Sequence, residues 1–138
     1  MDNPTKTFTF SVAGNPAVFT FKPAEMWRYT AVDVIRFQSK AGPFTVDLNR
    51  SDAVAKPNEK KPFGQLQSTK NPDAQGFFFA QTKITDGLTK AQRDAARAQN
   101  QTAADPFGFI ARYKYAIAVT LPDGTKAQDG QHNGEYGC

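Results

Sequence analysis

The chain has one cysteine, one histidine, one tryptophan and two methionines among its 138 residues, and only four leucines. Cys138 is the last residue and has no second cysteine to pair with. No internal disulfide can therefore staple the fold, and the redox compartment stays open. His132 and Cys138 cannot complete a zinc or copper shell by themselves. The same scarcity argues against a nucleophile activated by a histidine that a carboxylate holds in place. No apolar run approaches the ~20 residues of a membrane span. The opening "MDNPTKTFTFSV" lacks the basic start and long apolar run of a signal peptide. A soluble chain with no membrane span and no readable cellular address is expected. No "GxxxxGK[ST]" or "GxGxxG" phosphate cradle occurs. Asp33, Asp47, Asp52 and Glu59 form no pair of the kind glycoside hydrolysis needs across a cleft. The expectation is a protein that is not an enzyme and has no cofactor.

What the chain does have is phenylalanine, twelve of them, joined by Val, Ile, Tyr and Trp. These bulky β-branched and aromatic groups favour strands. Seventeen basic against thirteen acidic residues give a net charge of +4, a mild excess that by itself selects no polyanionic partner. The length fits one domain.

Alternation of apolar and polar residues locates the strands. "TFTFSVAGNPAVFTF" reads as a β-hairpin, with Phe8, Phe10 and Val12 on one face, a turn at Gly14-Asn15-Pro16, and Phe19 and Phe21 returning. "WRYTAVDVIRFQS" reads as one strand apolar on both faces. "GPFTVDL" follows as its neighbour, with Phe44, Val46 and Leu48 on one side and Thr45 and Asp47 on the other. From 49 to 75 the pattern lapses into a long, lysine- and proline-rich loop, which is either functional or mobile. "GFFFAQTKI" resumes a strand, Phe77 and Phe79 opposing Phe78, Ala80 and Ile84. "LTKAQRDAARAQN" is the helix: Thr89 caps it, Gln92 stands at the capping-box position, and Leu88, Ala91, Ala95 and Ala98 form a narrow apolar stripe suited to a surface helix.

"PFGFIARYKYAIAVTL" poses the sharpest choice, between a stacking platform for bases and a buried strand. "FGFI" matches part of the RNA-contacting motif of cold-shock and RRM domains. The basic residue and glycine that open that motif are replaced by Asp105 and Pro106. Counting by twos puts Phe107, Phe109, Ala111, Tyr113, Tyr115, Ile117, Val119 and Leu121 on one face. Leaving that face wet would forfeit several kcal/mol at ~25 cal/mol per Å², so it belongs to the core. Arg112 and Lys114 point the other way. After "PDGT", residues 125–138 read as a polar tail.

Two clusters remain as partner-binding candidates: Lys56, Lys60 and Lys61 with Phe63 as an apolar anchor in the long loop, and Arg112 with Lys114. Lys90, Arg93 and Arg97 on the helix read as a solvated face with Asp94 among them. The sequons at Asn49 and Asn100 would matter only in a secretory setting.

"DVIRFQSKAGPFTVDL", "KPFG" and "ARYKYAIAVTLPDG", in that order, resemble cupredoxin-like and related immunoglobulin-like β-sandwich domains. In copper-binding members two histidines, a cysteine and usually a methionine hold the metal. Here His132 and Cys138 lack the second histidine and Met26 lies far upstream, so the resemblance implies a metal-free sandwich. The expected architecture is a single all-β domain over 1–138, a two-sheet sandwich of about seven strands with one short Ala-rich helix. The expected role is a non-catalytic binding or assembly module, with a protein or a second copy as partner through loops or strand edges. The alternatives are a nucleic-acid-binding protein using the lysine loop, Arg112 and Lys114, and a small hydrolase or ligand-binding protein.

Overall fold

The computed structural model describes residues 3–30, 32–50, 62–84 and 87–137. Their strands are β1 (Lys6–Ala13), β2 (Val18–Lys22), β3 (Trp27–Tyr29), β4 (Val34–Ser39), β5 (Phe44–Arg50), β6 (Leu66–Gln67), β7 (Phe78–Lys83), β8 (Ala111–Thr120) and β9 (Lys126–Tyr136), with the helix α1 (Lys90–Gln99) between β7 and β8. They form a two-sheet sandwich: a four-stranded sheet in the order β2-β1-β4-β7 and a five-stranded sheet in the order β3-β9-β8-β5-β6. Nine strands replace the expected seven or so among the described residues, and each difference has a local cause.

The hairpin forms as its alternation requires, with Val12 opposite Phe19 and Phe10 opposite Phe21. "WRYTAVDVIRFQS" is not one strand. It breaks between Tyr29 and Val34, where the Asp33 carboxylate accepts from the Thr30 amide at 2.7 Å and the Thr5 hydroxyl at 2.8 Å. This side-chain-stapled turn passes the chain from one sheet to the other. β3 pairs parallel with β9, and β4 pairs parallel with β1. Both faces of the segment read as apolar because each half buries its own face against the shared core.

β4 and β5 are likewise not hydrogen-bonded neighbours, for they lie in opposite sheets. Gly42, at φ +154°, lies so close to the Thr120 carbonyl that a Cβ there would overlap it. The connection is thus held against β8, and β5 begins beside Val119.

The presumed polar tail is the largest correction. Residues 126–136 are β9, inserted between β3 and β8. Its pairing with β8 is irregular between Tyr115 and Ile117. Ala127 and Asp129 stand opposite the inward Val119 and Ile117, whereas beyond the bulge His132 and Gly134 stand opposite Tyr115 and Tyr113. One extra residue changes the inward set from odd to even numbers. The alternation is therefore invisible to a fixed count of two.

The core is mainly aromatic. Phe8 stacks on Trp27 across the two sheets at 4.8 Å, Phe10 meets Phe44 edge-on at 5.0 Å, and Trp27 meets Tyr115 at 5.1 Å. Such pairs add about 0.5–1.5 kcal/mol each beyond the area they bury. Tyr113, Tyr115, Ile117 and Val119 are all sealed, as the core reading of β8 requires. Burial, ahead of other causes, pushes the Tyr115 hydroxyl well above the usual tyrosine range, so that side chain is a neutral core element.

Deleting residues 126–138 should abolish cooperative unfolding in urea followed by circular dichroism. A chain that keeps the parent midpoint would show that β9 contributes nothing. Gly134→Ala, whose Cβ would clash with the edge of the Tyr115 ring, should cost about 1–3 kcal/mol in the same experiment.

Candidate interaction surface

The outer face of the five-stranded sheet is set by register. Arg28 on β3, Glu135 on β9 and Arg112 on β8 stand side by side in one row. Glu135 is 1% exposed, yet it receives Arg112 Nε at 2.9 Å and lies 3.5 Å from Arg28 Nε. The Arg112 guanidinium also lies over the Phe109 ring, 4.0 Å from its centre. One face of that cation is covered and its charge is shared with a buried carboxylate, so Arg112 is not a free hand for phosphate. Lys114, one row along, makes a long 3.4 Å contact to the Gln131 side-chain amide oxygen. Sequence reasoning nominated Arg112 and Lys114 but missed Arg28 and Glu135, which only the β3–β9 pairing brings beside them.

Of the other nominated cluster, only Phe63 lies among the described residues. Phe63 is 4% exposed and sits against Tyr29 and Phe37, at 6.2 and 5.8 Å between ring centres. It closes the core and offers no surface anchor, because burying an aromatic ring there outweighs displaying it. Lys56, Lys60 and Lys61 lie outside the described residues. The later part of the long segment is built structure: β6 pairs with β5, and Asp73 accepts from the Gln75 and Phe77 amides and pairs with Arg36 at 2.8 Å.

The helix is capped as read, with Thr89 and Gln92 exchanging hydrogen bonds. Of the expected apolar stripe, Leu88 packs against the core but the alanines do not. Ala91, Ala95 and Ala98 are exposed, and Ala96 and Asn100 are buried. The Asn100 amide donates to the Ala96 and Phe109 carbonyls at 3.1 and 2.9 Å, and Arg97 donates to the Gly137 carbonyl. Polar side chains tie α1 down where apolar periodicity pointed elsewhere. Held this way, the Asn100 sequon is not presented for glycosylation. Asp94 lies between Lys90 and Arg97, which hold its carboxyl below the usual range.

Between α1 and β8 the chain makes a turn whose tip is Phe107. The Thr102 amide donates to the Asp105 carbonyl, the Asp105 amide returns to Thr102, and the Gly108 amide donates to the Asp105 backbone carbonyl and to its Oδ1. Gly108, at φ +74°, lies against the Arg97 carbonyl, where no side chain would fit. This backbone reversal splits the pair that looked continuous with β8. Phe109 is buried at 3%, whereas Phe107 is 80% exposed, so the assignment of Phe107 to the core face is corrected. Every other aromatic side chain in the chain is buried or half-buried.

At the opposite end of β8 lies a groove of about 190 Å³ lined by Pro43, Phe44, Thr45, Ala118, Val119 and Thr120, with Lys70 and Lys126 among its walls. A broader one of about 470 Å³ runs beside it between β6 and β7. Among the described residues, neither lining includes a carboxylate, histidine or cysteine.

His132 is no loose tail residue. Its ring stacks on Phe21 at 4.1 Å and meets Trp27 edge-on at 4.5 Å, bridging the two sheets. Among the described residues no three His, Cys, Asp or Glu side chains gather where a metal could bind, and Cys138 lies outside them.

No family model, curated protein or solved structure matches the chain. The surface must speak from its own geometry.

Two consequences can be measured. Glu135→Ala should cost about 2–3 kcal/mol in urea unfolding, the low end for orphaning a buried charge pair because both guanidiniums keep some solvent contact; a change below about 0.5 kcal/mol would contradict the pairing. Burial holds the His132 imidazole below the usual histidine range, against opposing contributions from the Glu25 carbonyl and Asp129. The folded protein thus binds that proton less readily than the unfolded chain. Its stability is full above the ordinary histidine value of about 6.5, and is lost as pH falls from there toward the depressed folded value. His132→Phe should flatten the dependence of the unfolding midpoint over that window. An unchanged slope would contradict the assignment.

Proposed function

We propose that this protein is a non-catalytic interaction module that docks another protein chain through the Phe107 turn and the adjoining end of the five-stranded sheet. The observation that carries this reading is a single phenylalanine left 80% exposed at the tip of a turn that hydrogen bonds and Gly108 hold in one shape. A lone exposed apolar group is ordinary on protein surfaces. An aromatic ring presented on a pre-ordered backbone is different, because little entropy remains to be lost when it enters a partner's pocket. The likeness to cupredoxin-like and immunoglobulin-like sandwiches belongs to the same proposal, with the sandwich serving as a rigid mount for loops and edges.

Nucleic-acid binding is the second reading, supported by Arg28, Arg112 and Lys114 lying on one face near an exposed ring. Glu135 weighs against it by engaging both guanidiniums.

A photo-crosslinking benzophenone side chain replacing Phe107 separates the readings, with the same group at the exposed Val18 as the reference site. In expressing cells, position 107 should give discrete adducts to protein, well above those from position 18. Nuclease-sensitive adducts, or yields equal to the reference, would overturn the proposal.

A further inference from the structure

We infer that the partner is a second copy of this chain, joined head to tail, with Phe107 of one copy entering the groove between β5 and β8 of the next. This rests on the docking role proposed for the Phe107 turn and adds the identity of what receives it.

Size comes first. A cavity of about 150 Å³ lined by apolar side chains is enough to take up benzene, and the groove offers about 190 Å³. Pro43 and Ala118 are its apolar outward lining, beside Thr45, Gln67, Ser68 and Thr120, while the Phe44 and Val119 side chains belong to the core beneath it; the small Ala118 lies where a larger outward residue would fill the groove. Lys70 and Lys126 add aliphatic stems around the opening.

Charge comes second. Lys70 and Lys126 are exposed and pair with no acidic group among the described residues. Asp105, two residues before Phe107, spends its carboxylate on the Gly108 amide and likewise has no cationic partner among them. An entering Phe107 would bring Asp105 toward those lysines. Asp105 stands beside the knob and Lys70 and Lys126 beside the hole, so these groups are complementary across a knob-in-hole contact and two facing grooves are not.

Placement comes third. Phe107 precedes the first residue of β8, and the groove uses Ala118, Val119 and Thr120 at its last turn of pairing. A ten-residue strand separates them by roughly 30 Å. Knob and hole at opposite ends of one strand make a heterologous contact, which propagates as a chain of copies and does not close as a two-fold dimer.

The test uses the full chain under reducing conditions, so that a Cys138 bridge cannot contribute. By sedimentation or light scattering, mass should rise with concentration above that of one chain and fall back in high salt. Phe107→Ser removes the knob and Ala118→Phe fills the hole. Both positions are solvent-facing, so each variant should fold with the parent circular dichroism and stay monomeric. Mixed in equal amounts, the two should form a heterodimer that grows no further, since one retains only the hole and the other only the knob. A parent that remains monomeric at every concentration, variants that associate like the parent, or a mixture that stays monomeric would each overturn the inference. If the parent is monomeric while the benzophenone at 107 still captures a different protein, the docking role survives and only the self-pairing fails.

Discussion

Trp27 is the side chain with the most ring contacts between the two sheets. Its ring contacts Phe8 and Phe37 from the four-stranded sheet, Tyr115 from the five-stranded sheet, and Phe21 and His132 at the open side between them. It sits on a strand of three residues, too short to be held by its ladder alone. Burial of Trp27 and Tyr29 fixes β3, β3 gives β9 its parallel neighbour, and β9 completes the cover over the aromatic layer. The order of dependence runs from ring packing to strand pairing. That is why an 11-residue strand with few apolar groups can occupy an inner position in its sheet.

Three buried polar groups act where the chain changes direction, and a fourth ties strands side by side. Asp33 staples the passage from β3 to β4. The Ser68 hydroxyl accepts from the Phe44 amide at 2.8 Å and fastens the segment after β6 to the start of β5. Asn100 joins the end of α1 to the approach to β8. Glu135 gathers Arg28 and Arg112 across three strands. Each is hydrogen-bonded, as burial requires. Together they hold the connections that the hydrophobic layer, being non-directional, cannot specify. The exposed Phe107 depends on the same device: Asp105 and Asn100 fix the backbone on either side of the turn, so the ring's display is a consequence of how the chain enters β8.

Much of the fold was legible in the sequence where one residue type repeats at a fixed interval. The hairpin, the faces of β5 and β8, and the Thr89–Gln92 cap could all be read from local pattern. Reading failed where the deciding contact is distant in sequence or the interval shifts. The bulge opposite Tyr115 reverses the parity of β9, and Gly134 contributes to the core by leaving room for a ring from β8. Phe63 looked like a surface anchor because its lysine neighbours are local, whereas Tyr29 and Phe37, which bury it, are not. The helix face was misjudged because alanines mark apolarity wherever they fall, but the buried residues are Ala96 and Asn100, with Arg97 tied to the Gly137 carbonyl. Of the candidate site, Arg112 and Lys114 were legible from strand alternation. Phe107 was misassigned because Gly108 reverses the backbone between two residues of equal parity.

The dependence of the sandwich on β9 is tested most directly by native-state hydrogen exchange of individual amides. Strands that open only when the whole domain unfolds share its full protection, whereas frayed segments exchange at once. The β9 amides that pair with β8, from Ala127 to Tyr136, should be protected to the same free energy as those of Tyr113 to Val119. Exchange of β9 at the rate of an unstructured chain, with β8 still protected, would contradict the structure described above.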